Sequence, residues 1–309
     1  MIRLYAAAGN GLPRAATRAL LLMALLLVGV AGEVRAQGTP EAQALPPIAA
    51  AFSGERLGYD VSFLVFGRAA VSRLTLEPGP AGAPAAPLSG SASSGDAGHY
   101  VARASIETKG FVGWLNKRRH VYTSDLVPCE GGRRWCSRRF VMDLTERGHR
   151  EVRTTSIDPA RGSVTWTVER AGVVVETGGE PLRPDHRYDD MLAALYNFRA
   201  GVYGPVERGR RYEIQTLPVK GVRTFTIRVL DGDEEAGARR KFELGKGGLV
   251  IAAKVPEEIF GREGEVFAWL SPDLVPLGGT VERYIGFGDV HGRLVDAARP
   301  VGAVAAGRR

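Results

Sequence analysis

Two cysteines in 309 residues are too few for a disulfide-dense scaffold or for a four-thiolate zinc site within one chain. Histidine is nearly as scarce. His99, His120, His149, His186 and His291 are the whole set, none at i, i+4 spacing and none in an H-E-x-x-H run, so a zinc hydrolase has no ligand pattern to rest on. A G-x-S-x-G nucleophile elbow is also missing, and the serines at 89–94 fall in a low-complexity stretch that holds no nucleophile in place. No segment after the first 36 residues approaches the roughly 20 apolar positions of a spanning helix. What the chain has in quantity is turn residues, 40 Gly and 18 Pro, which points to many short strands. With 44% hydrophobic and 24% charged residues, it can bury a globular core.

The start of the chain reads as an export signal: Arg3, Arg14 and Arg18, an apolar run over 19–30, then Val34-Arg35-Ala36. As a helix that run rises about 18 Å, short of the roughly 30 Å hydrocarbon core. Residues 1–36 are therefore expected to be a signal peptide cleaved after Ala36, with a retained N-terminal anchor as the alternative. Losing four Arg and one Glu lowers the formal charge from +7 to +4. The expected location is the periplasm, where nucleic acid is not an expected partner, and the mature chain carries no expected membrane span. Residues 37–54 read as a flexible lead-in, 55–295 as one β-rich domain, 77–98 as a disordered loop insertion and 296–309 as a flexible tail.

Within 55–295 the pattern alternates with period two. Tyr59, Val61, Phe63 and Val65 share one strand side, with a hairpin partner over 69–76. Further strand-like runs lie at 99–109, 120–127, 138–144, 150–156, 163–170 and 173–177, then at 211–217, 222–230, 248–254, 265–271, 276–285 and 289–295. The period changes once: Met191, Leu192, Leu195, Tyr196 and Phe198 recur at helical spacing behind Asp189 and Asp190, with Gly201 beyond. One helix over about 189–200 among antiparallel strands predicts a mainly β fold, a strongly curved sheet or incompletely closed β-barrel with one packed helix.

The aspartate-led run D-x-L-x-A-L-Y-x-x-R ending at Arg199, the strand Tyr59 to Gly67, and the strand Phe267-Ala-Trp-Leu-Ser-Pro-Asp-Leu-Val-Pro276 together resemble the bacterial domain-of-unknown-function family 3108. The resemblance spans about 55–295 and implies a β-rich exported envelope protein. It brings no catalytic residues and no cofactor with it.

Several local features carry chemistry. Cys129 and Cys136 flank Glu-Gly-Gly-Arg-Arg-Trp, so a structural disulfide across a hairpin is expected in an oxidising compartment; free thiols and a redox or metal role are the alternatives. Asp231 to Glu235 reads as a solvated hairpin tip without the distal Glu of a calcium loop, and Gly286 to Gly292 as a hairpin turn. Arginines crowd 117–153, and Arg118, Arg119, Arg133, Arg134, Arg138 and Arg139 are candidates for an anionic partner such as lipid head groups; edge charges that prevent aggregation are the plainer account. If the sheet curls, Tyr59, Phe63, Trp114, Trp166, Tyr196, Phe198 and Trp269 are candidates to line a concavity for a lipid or other amphipathic ligand, or simply to fill the core. The functional expectation is a non-enzymatic envelope protein that binds such a ligand or a partner protein. The alternatives are a structural or assembly role, or a hydrolase built on paired carboxylates among Asp60, Asp143, Asp189, Asp190 and Asp273.

Overall fold

The computed structural model of the chain describes residues 47–63, 66–80, 98–219, 222–255, 264–282 and 289–299. The expected signal peptide, most of the lead-in, the stretch 81–97, positions 286–288 of the expected turn and the tail from 300 onward lie outside these residues, and Val290 to Gly292 of that expected turn are strand instead, paired with Gly279 to Val281.

Fourteen strands form one antiparallel sheet. The first eight are β1 (Glu55–Phe63), β2 (Phe66–Pro78), β3 (Tyr100–Thr108), β4 (Arg118–Cys129), β5 (Arg134–Glu146), β6 (His149–Asp158), β7 (Ser163–Arg170) and β8 (Val173–Pro181). The last six are β9 (Arg211–Val219), β10 (Val222–Val229), β11 (Leu249–Val255), β12 (Gly264–Leu270), β13 (Pro276–Val281) and β14 (Val290–Ala298). Each series is a meander, and the two join where β1 pairs with β14, so the spatial order runs β8 to β1, then β14 back to β9. Tight turns make this possible. Arg147-Gly148 and Ala171-Gly172 connect β5 to β6 and β7 to β8 with positive φ at both residues, the backbone twist that matches right-twisted strands. The sheet remains open, with β8 and β9 at its edges. The chain between them runs along β9, where Asp189 bridges Thr216 in parallel and the Leu217 amide donates to the Asp189 carbonyl.

The core helix, Met191–Arg199, lies against β3, β4, β5 and β9. Leu192, Ala193 and Tyr196 join one apolar cluster with Leu57, Tyr59, Leu74, Trp135 and Val275, whereas Ala194 and Phe198 join a second with Val61, Tyr212, Val266 and Val281. The helix is thus wedged between the two arms of the curved sheet, and its side chains fill the space that the curvature encloses. Burying two faces of so short a helix supplies the stability that a three-turn segment lacks in isolation.

Three further helical segments correct the sequence reading. Ile48–Phe52 is helical, with Ile48 and Phe52 buried, so packed structure begins inside the expected lead-in: an apolar pair hidden among alanines gives no periodic signal. Gly110–Leu115 forms a short helix between β3 and β4. Asp231 to Glu235 is no hairpin tip. It opens the helix Gly232–Lys241, whose first turn carries Asp233, Glu234 and Glu235 and whose last turn carries Arg239, Arg240 and Lys241, charges ordered as the helix dipole favours. At the other end, β14 continues to Ala298, into the expected tail. Among the described residues, no helix is long and apolar enough to cross a membrane.

Candidate functional site

On β2 and β3 the even-numbered Leu74, Leu76, Ala102, Ala104 and Ile106 are buried in the interior. Strand alternation sends their odd-numbered neighbours to the opposite face. Register then places Arg73 beside Ser105, Thr75 beside Arg103, Glu107 beside Arg119, and Ser105 beside Val121. Together with Arg68 and Lys109, these side chains line a hollow of about 690 Å³ on the outer face of β2, β3 and β4.

The hollow is strongly basic. Arg68 is held by Asp60 at 2.8 Å and Lys109 by Glu107 at 2.9 Å. Arg73, Arg103 and Arg119 have no carboxylate within ion-pair distance among the described residues, and all three are exposed. Their field reaches the nearby acids. Glu107 is held below the usual carboxylate range first by the Lys109 ammonium and then by Arg119 and Lys117. Asp143 is held down by its two hydrogen bonds from Arg150, with Arg119 and Arg103 adding to the pull. Guanidinium groups lining one hollow offer forked donors to phosphate or carboxylate oxygens.

A second polar cluster is buried and serves the fold. Asp190 caps the core helix: its Oδ1 accepts from the Leu192 and Ala193 amides at 2.7 and 3.0 Å, and its Oδ2 accepts from the Ser124 hydroxyl. Burial pushes its carboxyl up to about 6 against the opposing pull of those donors. Asp189 accepts from Arg134 Nη2 at 2.5 Å, Tyr203 Oη at 2.6 Å and Asn197 Nδ2 at 3.2 Å. Asn197 also exchanges two hydrogen bonds with the Trp135 backbone, at 2.8 and 2.9 Å, which fixes the helix to β5.

The expected carboxylate pairs do not converge. Asp60 and Asp143 lie on the outer face with Arg68 and Arg150, Asp273 faces Arg299, and Asp189 and Asp190 are spent in the interior. The motive for a two-carboxylate hydrolase is thereby removed. Among the described residues, no group of three or more His, Cys, Asp or Glu is placed to hold a metal ion.

The expected arginine patch is likewise dispersed. Arg134 is buried on Asp189. Arg118 sits at 3.8 Å from Glu146 with its side chain largely covered, and Arg138 is half-buried. Arg133 is exposed and donates to the Glu130 carbonyl, while Arg139 lies 3.9 Å from Asp125. Only Arg119 joins the hollow. Its decisive companions, Arg73 and Arg103, stand outside the arginine-rich stretch and share a face through register, a signal that strand alternation carried in β2 and β3.

Of the seven aromatic candidates, Tyr59, Tyr196 and Phe198 are buried in the core, and Phe63 packs partly against it. Trp166 is half-buried and lies over its cross-strand partner Gly178. Two are corrected. Trp269 is on the outer face, under the Gly232–Lys241 helix with Phe242 and Phe267, because it alternates with the inward Ala268 and Leu270. Trp114 is 79% exposed on the short helix after β3. The two cysteines form a disulfide across the β4–β5 hairpin, with their Cα atoms 6.0 Å apart.

No family model matches the sequence, and no curated protein matches it. Among solved structures, the chain is similar to the crystal structure of a β-barrel-like protein of domain of unknown function DUF1849 from Brucella abortus. The TM-score is 0.42 and the identity 11%, covering 80% of this chain and 98% of that one.

Proposed function

We propose that the chain is a non-enzymatic, exported envelope protein of the family 3108 kind that binds an anionic amphipath through the basic hollow on its curved sheet. The observation that carries this reading is the convergence of Arg73, Arg103 and Arg119, each without a carboxylate partner among the described residues, on one concavity. Cations gathered in one concavity without a direct ion pair are only partly offset by Glu107 and Asp143, and an incoming anion completes the compensation. The volume matches that of small-ligand sites. Its lining is cationic and polar more than aromatic, so the charged end of the ligand is what it recognises. The interior, occupied by the core helix, is assigned to folding.

Isothermal titration with dodecyl phosphate, with dodecanol as the uncharged control, tests the proposal. Binding of the phosphate alone, weakened about tenfold or more in the Arg73→Gln/Arg103→Gln/Arg119→Gln variant, is the expected result. Equal binding by the wild-type and triple-variant proteins overturns it. Export is tested separately by fractionating cells that express the full chain and sequencing the N-terminus of the recovered protein, expected at Gln37.

A further inference from the structure

Beside the basic hollow stands a surface of the opposite character. The helix Gly110–Leu115 buries none of its residues, and Phe111, Trp114 and Leu115 are 58%, 79% and 67% exposed. They continue a chain of rings: Phe63 to Phe66 at 5.4 Å, Phe66 to Phe111 at 5.9 Å, and Phe111 to Trp114 at 5.7 Å. This chain begins at the rim of the core and ends in solvent. Large apolar side chains grouped in this way mark an interaction surface, in contrast to singly scattered ones.

The setting of the rings indicates what covers them. Lys109 precedes the helix and Lys117 follows it. Arg147 reaches Asn116 Oδ1 at 3.3 Å, and its amide donates to the Lys117 carbonyl. Arg68 lies two residues beyond Phe66, and Arg119 two beyond Lys117. Counting Arg118, six cations thus neighbour the rings in the chain, against Asp60, Glu107 and Glu146, which pair with Arg68, Lys109 and Arg118. An aromatic and leucine tip ringed by Lys and Arg is the arrangement that suits the boundary between acyl chains and anionic head groups: the rings enter the boundary while the cations remain among phosphates.

We infer that the Phe111, Trp114 and Leu115 tip docks the protein onto the surface of an anionic phospholipid bilayer, with Lys109, Lys117 and Arg147 at head-group level. The inference is argued from the tip's own residues and does not require the neighbouring hollow to be filled. If both hold, the docked pose brings the hollow close to the head groups.

The test is co-sedimentation of the protein with vesicles of phosphatidylglycerol and phosphatidylcholine, or of phosphatidylcholine alone. Binding to the anionic vesicles, weakened by 0.5 M salt, is expected, with a loss of about tenfold or more in Phe111→Ser/Trp114→Ser. Both positions are exposed, so the variant keeps its core, and circular dichroism checks this. Tryptophan emission supplies a second readout. Trp114 is the exposed indole while Trp135 is fully buried, so vesicles are expected to blue-shift the emission of wild-type protein. In Trp114→Phe the shift should vanish while sedimentation persists.

Failure of the wild-type protein to sediment overturns the inference, as does equal sedimentation of the double-serine variant. In the latter case the cations alone bind lipid, and the triple-arginine variant reports whether the hollow is responsible. Concentration-dependent self-association, abolished by Trp114→Ser without vesicle binding, also overturns it and assigns the tip to a second copy of the chain.

Discussion

Arg199, the last residue of the core helix, grips Glu55, the first residue of β1, with both arms: Nη1 to Oε2 at 2.6 Å and Nη2 to Oε1 at 2.7 Å. Both side chains are 1% exposed. The guanidinium also donates to the Leu274 carbonyl at 2.9 Å and lies 4.8 Å from the Phe52 ring centroid and 5.4 Å from that of Tyr196. One ion pair therefore ties the helix, the start of the sheet, the β12–β13 turn and the N-terminal helix Ile48–Phe52.

Removing Glu55 leaves Arg199 buried without a counter-charge, and removing Arg199 leaves Glu55 with Arg299 at 4.0 Å in place of a two-pronged grip. Glu55→Leu or Arg199→Met alone is expected to cost about 3–5 kcal/mol, whereas Glu55→Leu/Arg199→Met recovers most of that loss, because an apolar pair of similar volume avoids the desolvation of two ions. Urea unfolding of the three variants decides the point: additive losses in the double variant would contradict the ion-pair account.

Asp190 gives stability a pH dependence of defined sign. Its carboxyl lies at about 6 in the fold, against roughly 4 for an aspartate in the unfolded chain. Between these values the native state holds a proton that the unfolded chain has released, so this group makes stability fall as pH rises from 4 to 6. Asp190→Asn keeps an oxygen for the Leu192 and Ala193 amides but cannot ionise. It is expected to flatten that part of the stability profile by about 2 kcal/mol while retaining the cap, read from urea midpoints at pH 4, 5, 6 and 7. An unchanged profile would show that Asp190 is not the titrating group. Asp190→Ala loses the cap as well and is expected to lie about 1–2 kcal/mol below Asp190→Asn at every pH.

The same run shows what the sequence discloses. The strand alternation, the antiparallel order and the core helix were legible because period-two and period-3.6 patterns report which face is buried. In the motif from Asp190 to Arg199, the sequence marks the residues that matter but not why: Asp190 caps, Tyr196 packs and Arg199 reaches 144 positions back to Glu55. The basic hollow was not legible. Arg73, Arg103 and Arg119 lie on three strands, and only the register of β2, β3 and β4 reveals that they meet. The helix at 232–241 escaped for another reason: it is held by charge order and by the grip of Arg208 and Arg239 on Glu235, with only Ala238 among its apolar residues buried.

Trp269 and Gly278 are direct cross-strand partners, as are Trp166 and Gly178. In each pair the indole occupies the space that a Cβ on the glycine would need. Gly278→Ala is expected to lift the Trp269 ring from its seat below the Gly232–Lys241 helix and cost about 1–3 kcal/mol. Gly178→Ala should cost less, since Trp166 stands near the open β8 edge and has room to turn. Thermal melts of the two variants, together with near-ultraviolet circular dichroism of the indoles, measure the difference.

The hollow predicts opposite responses of stability and binding. Core residues lose stability when truncated, and so would Arg73, Arg103 and Arg119 if their role were to brace the sheet. Their guanidinium groups form no direct ion pair among the described residues and each lies on the outer face, so replacing one relieves repulsion and gives up only the longer-range attraction to Glu107 and Asp143. Arg103→Gln is therefore expected to leave the melting temperature unchanged or raise it by a degree or two, about 0.5 kcal/mol, while weakening the binding of dodecyl phosphate. Raising salt should reproduce both effects in the wild-type protein, since screening removes repulsion and attraction alike. A stability loss on Arg103→Gln, with phosphate binding intact, would instead make the arginine a structural element, because a charge retained for a ligand is one the empty fold can do without.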